Sequence, residues 1–261
     1  TDRNYSTGAL VYQPNYNVYQ NAPETVYENS VVHNQQRDGG AVLADQRLID
    51  GKEITLVTLN GSLDTSQTDR LSVDVRAASS SDRTVSVWNK SHNLTIELPT
   101  RLSESNWKRL LEAERTDGYV TNVSVDEDGP DGAYDTLSVT LQKDTNYTLR
   151  MARAGVGTGV ETPGVEYITD VEGDGSNVLT GSEQQLVLEA RDRYNNPVSD
   201  VAVSVIDSET NLNGGELDQR SRTTGTDGRV RFTYTAGSST GDASVTFNVS
   251  DDADVTPSEK V

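Results

Sequence analysis

The sequence contains no cysteine, only two histidines, and no apolar run long enough to span a membrane. The absence of cysteine excludes disulfides and thiolate metal or redox sites. Because His33 and His92 are the only histidines, the sequence also argues against a zinc site. The chain begins at Thr1 and shows no signal-peptide pattern. We therefore expect a processed product or a cut ectodomain, in which any membrane anchor lies outside these residues.

Basic residues are scarce, and lysine is the scarcer of the two types. The chain has 22 Lys+Arg against 41 Asp+Glu, and its net charge is −19. An acidic, lysine-poor surface stays hydrated in concentrated salt, where screening weakens the self-repulsion. This composition predicts a haloarchaeal source, with an ordinary acidic secreted protein as the alternative. It also argues against binding nucleic acid through phosphate contacts.

The C-terminal part of the chain alternates apolar and polar residues with period two. Such alternation is typical of strands that bury one face and expose the other. Two turn signals separate the strands, Asn195-Asn196-Pro197 and Asp227-Gly228. Several short strands with turns between them predict a β-sandwich. The alternating stretches are Leu186/Leu188/Ala190, Val201/Val203/Val205, Val230/Phe232/Tyr234 and Val245/Phe247/Val249.

Three runs in this region carry a family resemblance: Asp192–Val205, Thr226–Gly237 and Ala243–Val249. Together they resemble one Ig-like module of the invasin and intimin type of bacterial adhesin, over residues 178–250. The resemblance implies an Ig-like sandwich that spaces or displays other parts of a cell-surface protein. It fixes the fold better than the function, because function depends on a site rather than on a fold.

The first 165 residues also show mainly β patterns. Most stretches have one apolar face, which predicts antiparallel pairing. The run 54–59 is apolar more continuously and is expected to be a central strand. The other predicted strands contain Leu71/Val73/Val75, Val85/Val87, Leu94/Ile96/Leu98, Tyr119/Thr121/Val123/Val125, Leu137/Val139/Leu141 and Tyr147/Leu149/Met151.

One helix is predicted between these strands. Ser103 can cap it, and Trp107, Leu110 and Leu111 form an apolar face at helical spacing. Leu102 and Trp107 occupy the two positions of a hydrophobic staple. We expect the helix to pack on one face of the sheet, with Trp107 as a buried anchor.

Residues 1–50 combine tyrosines with asparagine, glutamine and proline. This composition favours an extended strand laid over the sheet, with an adhesive interaction surface as the alternative. The glycine-rich run 153–164 is predicted to be a linker. The expected organisation is an N-terminal β-rich domain with one packed helix at 1–158, an Ig-like sandwich at 159–251, and an acidic tail or linker at 252–261. The tyrosines in question are Tyr5, Tyr12, Tyr16, Tyr19 and Tyr27.

Residues 1–153 as a whole resemble the ectodomains of haloarchaeal surface proteins that carry a pilin-like N-terminal anchor. The resemblance implies a surface or filament protein. The sequence departs from pilins because it has no long apolar N-terminal helix, so polymerisation through such a helix is not predicted. The residues that carry the resemblance lie in 6–12, 15–17, 22–29, 48–51 and 55–62.

Seven Asn-x-Ser/Thr sequons make N-linked glycosylation a candidate modification. The alternation of apolar residues places Asn122 and Asn248 on the solvent face of their strands. Asn60, Asn89 and Asn146 are expected at turns or strand ends. The alternative is that these are solvent-facing asparagines without sugar. The seven candidates are Asn4, Asn60, Asn89, Asn93, Asn122, Asn146 and Asn248.

The acidic run 126–135 is a candidate for a Ca²⁺ site. Asp126, Asp128, Asp131 and Asp135 could supply carboxylates around a glycine turn. The spacing departs from the EF-hand pattern, and a hairpin turn in an acidic protein explains it equally well. A second acidic turn at 170–175 is a further candidate. No other cofactor is predicted.

No catalytic residue is predicted. A Ser/His/acid triad needs a histidine held by a carboxylate, and we interpret both His33 and His92 as surface residues. The sequence therefore favours a non-enzymatic extracellular protein of a haloarchaeon, active in adhesion, a surface filament or envelope display. Its expected partners are proteins or further copies of the chain. The alternatives are a polysaccharide-binding or accessory region of a secreted enzyme, and a viral or fusion-type surface protein.

Overall fold

The computed structural model describes residues 5, 7–14, 22–35, 41–67, 72–79, 83–126, 134–250 and 258–260. The chain divides into two compact units, Thr1–Glu161 and Thr162–Val261. Each unit has its own cluster of buried hydrophobic residues. Both units consist mainly of β-strands, which confirms the predicted fold class.

The described part of the first unit contains strands and two short helices. In chain order they are β1 (Leu10–Tyr12), β2 (Glu24–Glu28), β3 (Val31–Gln35), β4 (Ala41–Ala44), β5 (Ile49–Asp50), β6 (Glu53–Asn60), β7 (Val75–Ala77), β8 (Thr84–Trp88), β9 (Leu94–Thr100), α1 (Glu104–Leu110), α2 (Glu112–Thr116), β10 (Val120–Asp126), β11 (Asp135–Leu141) and β12 (Asn146–Val156).

The N-terminal residues form a sheet of their own, in the order β1-β2-β3-β4 and antiparallel throughout. The prediction of one extended strand laid over another sheet is therefore wrong. Asn29 and Ser30 connect β2 to β3 with φ of 45° and 66°. Two residues with positive φ form the tight turn whose twist suits a hairpin, so the chain reverses here. Tyr16 and Tyr19 lie outside the described residues.

The second sheet has the order β5-β6-β12-β7, and β8 also pairs with β12. β6 is a central strand, as its continuous apolar run predicts. It departs from the antiparallel expectation, because β6 and β12 pair in parallel from Thr148↔Glu53 to Gly155↔Asn60. A parallel pair needs a long crossover, and here the intervening sheet and helices supply it. Arg153 and the residues up to Val156, within the predicted linker, belong to β12.

The third sheet, β10-β11-β9, is antiparallel and packs against the helices. Leu137, Val139 and Leu141 point inward from β11 with no exposed surface. Trp107 is fully buried among them, which confirms its role as an anchor. The predicted helix is interrupted at Leu111, whose φ of −102° ends α1 before α2 begins.

The second unit is a sandwich of two antiparallel sheets, with orders β13-β14-β18-β16 and β17-β15-β19-β20. Without the short β17, these orders are those of the constant-type Ig fold, in which strands A-B-E-D face strands C-F-G. The strands are β13 (Tyr167–Glu172), β14 (Glu183–Arg191), β15 (Ala202–Val205), β16 (Glu216–Leu217), β17 (Ser221–Thr223), β18 (Arg229–Thr235), β19 (Thr246–Ser250) and β20 (Ser258–Lys260).

The core of this sandwich is built by the four alternating stretches that the sequence identifies. Phe232 and Phe247, from opposite sheets, have ring centroids 4.9 Å apart. The two predicted turns also lie against each other. Asn195 has φ 67° and Gly228 has φ 72°, and a Cβ on Gly228 would lie 2.6 Å from Cβ of Pro197. Glycine is required there because the neighbouring turn leaves no room for a side chain.

Candidate functional site

A buried polar network joins the N-terminal sheet to β9 and α1. Glu28, at the end of β2, has a relative exposure of 2%. Its carboxylate accepts hydrogen bonds from Oγ1 of Thr100 at 2.6 Å and from the backbone N–H of Arg101 at 2.9 and 3.1 Å. Oγ1 of Thr100 accepts in turn from Nε1 of Trp107 at 2.8 Å. The network therefore ties three elements together through hydrogen bonds from a hydroxyl, a backbone N–H and an indole N–H.

His33 lies beside this network, and its interpretation as a surface residue is wrong. The side chain is fully buried, and its Nε2 lies 3.6 Å from Oε1 of Glu28. Alternation along β3 explains this, because Val31 and His33 share the inward face of that strand. Without solvent access, the imidazole cannot meet a substrate. His92 is exposed, as predicted.

A surface groove with a volume of about 430 Å³ opens beside Glu28. Acidic residues from three strands, Glu28, Glu97 and Asp135, contribute to its lining together with Tyr134. The ring of Tyr134 packs on the Arg101 guanidinium, at 4.8 Å from ring centroid to Cζ. An aromatic ring beside carboxylates is a combination found in sugar-binding grooves, because it offers a stacking face and hydrogen-bond acceptors.

One end of the first unit gathers four of the six sequon asparagines that the structure describes. Asn89 and Asn93 lie in the β8–β9 connection, and Asn146 begins β12. Asn122 lies two residues after Val120, which starts β10, and a register shift separates these two residues. Because Val120 pairs with Leu141 and Leu141 with Leu94, the start of β10 lies at the same end. We call residues 88–93, 119–122 and 141–146 the sequon pole.

Asn89 holds two connections of the sequon pole together. Its Nδ2 donates to the Gln142 carbonyl at 2.8 Å, and its Oδ1 accepts from the Thr145 backbone N–H at 3.0 Å. The amide is therefore engaged at both ends. Asn93, Asn122 and Asn146 are exposed.

The remaining sequons lie elsewhere. Asn60 is partly buried near the other end of β12, and its Oδ1 accepts from the Glu161 N–H at 2.7 Å. Asn248 lies on β19 and is partly buried rather than fully on the solvent face. Asn4 lies outside the described residues. Whether any of the seven carries sugar stays a prediction.

Trp88, at the end of β8, is a feature of the sequon pole that the sequence reasoning missed. Its side chain is 66% exposed, and Nζ of Lys90 lies 5.5 Å from its ring centroid. The exposure of Trp88 could have been predicted from the alternation along β8. Val85 and Val87 point inward, so Trp88 must lie on the outer face.

The first acidic turn, 126–135, is only partly described. Asp126 ends β10 and Asp135 begins β11, so these two carboxylates flank the base of one hairpin. Asp128 and Asp131 lie outside the described residues. Among the residues that the structure covers, no group of three or more His, Cys, Asp or Glu is placed to hold a metal ion. A Ca²⁺ site in this hairpin stays a prediction.

Asp170 dominates the second acidic turn. Burial raises the pKa of its carboxyl group above the ordinary value of 3.8, and the negative charge of Asp174 raises this pKa further. Backbone N–H groups of Asp174 and Glu172 act in the opposite direction by binding the carboxylate. The net shift means that this turn carries an electrostatic penalty at neutral pH.

None of the described helices is long and apolar enough to cross a membrane. No protein-family model matches the chain, and no curated protein matches it. Nine chains of known structure do match. One is the D00-D0 domain of Intimin, with 13% identity and a TM-score of 0.31, covering 69% of this chain and 98% of that one.

A further match is the D0-D1 domain of Intimin, with 13% identity and a TM-score of 0.28, covering 72% of this chain and 97% of that one. Identity and structural similarity at this level assign neither a family nor a function. The Ig-like assignment of the second unit follows instead from its strand order.

Proposed function

We propose that this chain is a non-enzymatic structural protein of the cell surface of a halophilic archaeon. Its two β-rich units would contribute to adhesion, a surface filament or envelope display. The observation that carries the proposal is the sequon pole, where four sequon asparagines gather at one end of the first unit. Sequons on solvent-facing strands and loops are typical of secreted and surface proteins.

The charge of the chain supports the same environment. The net charge is −19, and only five of the 22 basic residues are lysines. The surface carboxylates are therefore hydrated by water more than they are neutralised by basic side chains. At molar salt the screening length falls to about 3 Å, so the repulsion between surface carboxylates becomes weak. We therefore expect the fold to be most stable in concentrated salt, the medium of a haloarchaeal surface.

The buried network favours a passive role for the acid–histidine pair that the sequence contains. Glu28 is fixed by Thr100 and by the Arg101 backbone, and His33 has no exposed surface. A general base must reach the proton that it removes. In this geometry the pair stabilises the junction of the N-terminal sheet with β9, and the fully buried imidazole has no exposed atom with which to act as a base.

Contacts with other proteins, or with further copies of the chain, are expected at sheet edges. β4 is the last strand of its sheet, and Leu43 on it is 58% exposed. An edge strand offers unpaired backbone groups that can accept a strand from another chain. This edge is a place where a filament or adhesive contact could form.

Deleting the gene and restoring it tests the role directly. We expect the deletion strain to lose surface attachment or surface filaments, and the restored strain to regain them. Whole-cell metabolism should be unchanged, because no reaction is assigned to the chain. Normal attachment together with a missing metabolic product would contradict the proposal.

A second function, binding of a polysaccharide, is favoured by the groove beside Glu28. Its volume of about 430 Å³ suits a short oligosaccharide, and Tyr134 could stack on a sugar ring. We expect Tyr134→Ala to weaken oligosaccharide binding measured by calorimetry, whereas substitution of exposed Tyr12 should not. Equal binding by both variants would exclude the groove.

A further inference from the structure

We propose that Asn146 carries an N-linked glycan whose first sugar stacks on the exposed indole of Trp88. This proposal rests on the proposed extracellular function, because the sugar has to be added outside the cytoplasm. It names one modified residue of the sequon pole and the side chain that holds the sugar.

The sequon of Asn146 lies in a strand, and the strand sorts its three residues between two faces. Asn146 and Thr148 are exposed, whereas Tyr147 between them has a relative exposure of 1%. The hydroxyl of Tyr147 donates to the Gln142 carbonyl at 2.7 Å. Both functional residues of the sequon are therefore held on the outer face by an anchored residue.

Trp88 lies directly opposite Asn146 in the antiparallel pair of β8 and β12. Side chains in such positions have Cβ atoms about 4.5–5.5 Å apart. Trp88 is 66% exposed, so its ring extends from the same face as the asparagine. The face of an aromatic ring carries partial negative charge and attracts the polarised C–H groups of a sugar. A sugar attached to Asn146 would cover apolar surface that is otherwise exposed to water.

The amide of Asn146 is also oriented for attachment. Ser86 donates a hydrogen bond from Oγ to Oδ1 of Asn146 at 2.6 Å. This contact fixes the carbonyl side of the amide toward Ser86 and turns Nδ2 away from it. Ser86 in turn lies opposite Thr148, so Trp88, Ser86 and the sequon form one outward-facing group.

Two other sequons of the pole, those of Asn89 and Asn122, lack one of these features. Asn89 uses Nδ2 to donate to Gln142, so its amide already has a structural role. Asn122 is exposed on β10, but its cross-strand partner is Thr140 rather than an aromatic residue. Asn122 is therefore a matched control, since it is a sequon on an exposed strand without a ring beside it.

The modification needs a glycosyl donor, which would be a lipid-linked sugar phosphate or diphosphate. Nδ2 of Asn146 attacks the anomeric carbon, the C1–O bond to phosphate breaks, and a C1–N bond forms. The lipid phosphate leaves with the bonding electrons, and the amide nitrogen gives up one proton to solvent. The remaining N–H of the amide can still donate a hydrogen bond.

Site-resolved mass spectrometry of the full chain, expressed in its own cells, tests the modification. We expect a glycan mass on the peptide of Asn146. Thr148→Ala should abolish it, whereas Thr148→Ser should retain it because the hydroxyl is kept. A peptide of Asn146 with unmodified mass in the native protein would overturn the proposal.

A thermal cycle tests the stacking on Trp88. The melting temperature is measured for the native chain and the Trp88→Ala chain, each with and without enzymatic removal of sugar. We expect sugar removal to lower the melting temperature by about 2–4 °C in the native chain, a shift worth about 1 kcal/mol in a domain of this size. In Trp88→Ala the loss should be small. An equal loss in both chains would overturn the stacking.

Asn122→Gln serves as the control, since any stabilisation by its sugar should not depend on Trp88. The outcomes also separate this proposal from the proposed function. Surface-located protein that carries sugar on Asn93 or Asn122 but not on Asn146 contradicts only the proposal for Asn146. Protein confined to the cytoplasm contradicts the proposed function and this proposal with it.

Discussion

Each unit of the chain buries a glutamate, and the two units stabilise that charge in different ways. In the first unit, Glu28 is held by the Thr100 hydroxyl and by the Arg101 backbone N–H. In the second unit, Glu189 on β14 is fully buried and receives two guanidinium groups. Nε of Arg191 lies 2.9 Å from Oε1, and Nε of Arg229 lies 2.8 Å from Oε2.

The protein therefore contains one buried carboxylate stabilised by dipoles and another stabilised by positively charged groups. Dipoles such as a hydroxyl and a backbone N–H are fixed by the fold, so their effect does not depend on mobile ions. Guanidinium groups are charges, and those of Arg191 and Arg229 have side-chain exposures of 15% and 35%. The ion pairs of the second unit should therefore respond to salt more than the network of the first unit does.

The largest expected effect is that of Glu28→Ala. The change removes the acceptor of Thr100 and Arg101 inside the protein and leaves a void, so buried donors lose their partner. We expect the first unit to lose about 3 kcal/mol of unfolding free energy, measured by urea titration. Glu97→Ala is the control, because Glu97 is exposed on β9 and should change little.

A loss below about 1 kcal/mol for Glu28→Ala would show that the network does not stabilise the first unit. Repeating the titration at high and low salt sharpens the comparison. The loss caused by Glu28→Ala should be nearly the same at both salt concentrations, because its hydrogen-bond partners are a hydroxyl and a backbone N–H.

Glu189→Ala should have a smaller effect, about 2 kcal/mol on the second unit. The two arginines that lose their partner can reach water, so less charge is left buried and unpaired. The loss should decrease as salt is raised, in contrast to Glu28→Ala. Glu183→Ala, which removes an exposed carboxylate from the same strand, is the control. Equal salt dependence in both units would contradict the distinction.

The smallest expected effect is that of changing Asp170. Its carboxylate accepts hydrogen bonds from backbone N–H groups but lies near the negative charge of Asp174. Its folded pKa is raised above 3.8 by burial and by Asp174. The folded state therefore holds the proton more tightly than the unfolded state, and stability falls as pH rises from 3.8 through the raised pKa. Asp170→Asn should stabilise the second unit at pH 7 by about 0.5 kcal/mol.

That stabilisation should shrink as the pH is lowered from 7, because the raised pKa of Asp170 lets the native carboxyl group take up a proton before the unfolded one does. Thermal melts of the two chains between pH 4 and pH 7 measure it. A constant difference across this range would mean that the gain is not electrostatic. Asp174→Asn should give a change of the same sign, because Asp174 is the neighbouring negative charge.

The sequence predicts the second unit well because its core follows one rule. Leu188, Phe232 and Phe247 are apolar residues at alternate positions, and each is fully buried. Asn195 and Gly228 occupy turns that need positive φ. Local pattern and final fold agree at these positions, so period-two alternation was sufficient to identify the strands and the core.

The first unit was predicted less well because long-range contacts decide its structure. Glu28 and His33 are polar, so their burial depends on partners about 70 positions away, such as Thr100. The parallel pairing of β6 with β12 depends on a crossover that alternation does not reveal. Of the candidate sites, the exposure of Asn146 and Trp88 follows from alternation, but their juxtaposition depends on strand register.

Immunogold electron microscopy of intact and sectioned cells tests the central claim, a structural role at the cell surface, most directly. We expect label on fibres or on a coat outside the membrane, in cells grown at high salt. The deletion strain provides the background. Label confined to the cytoplasm would exclude a structural role at the cell surface.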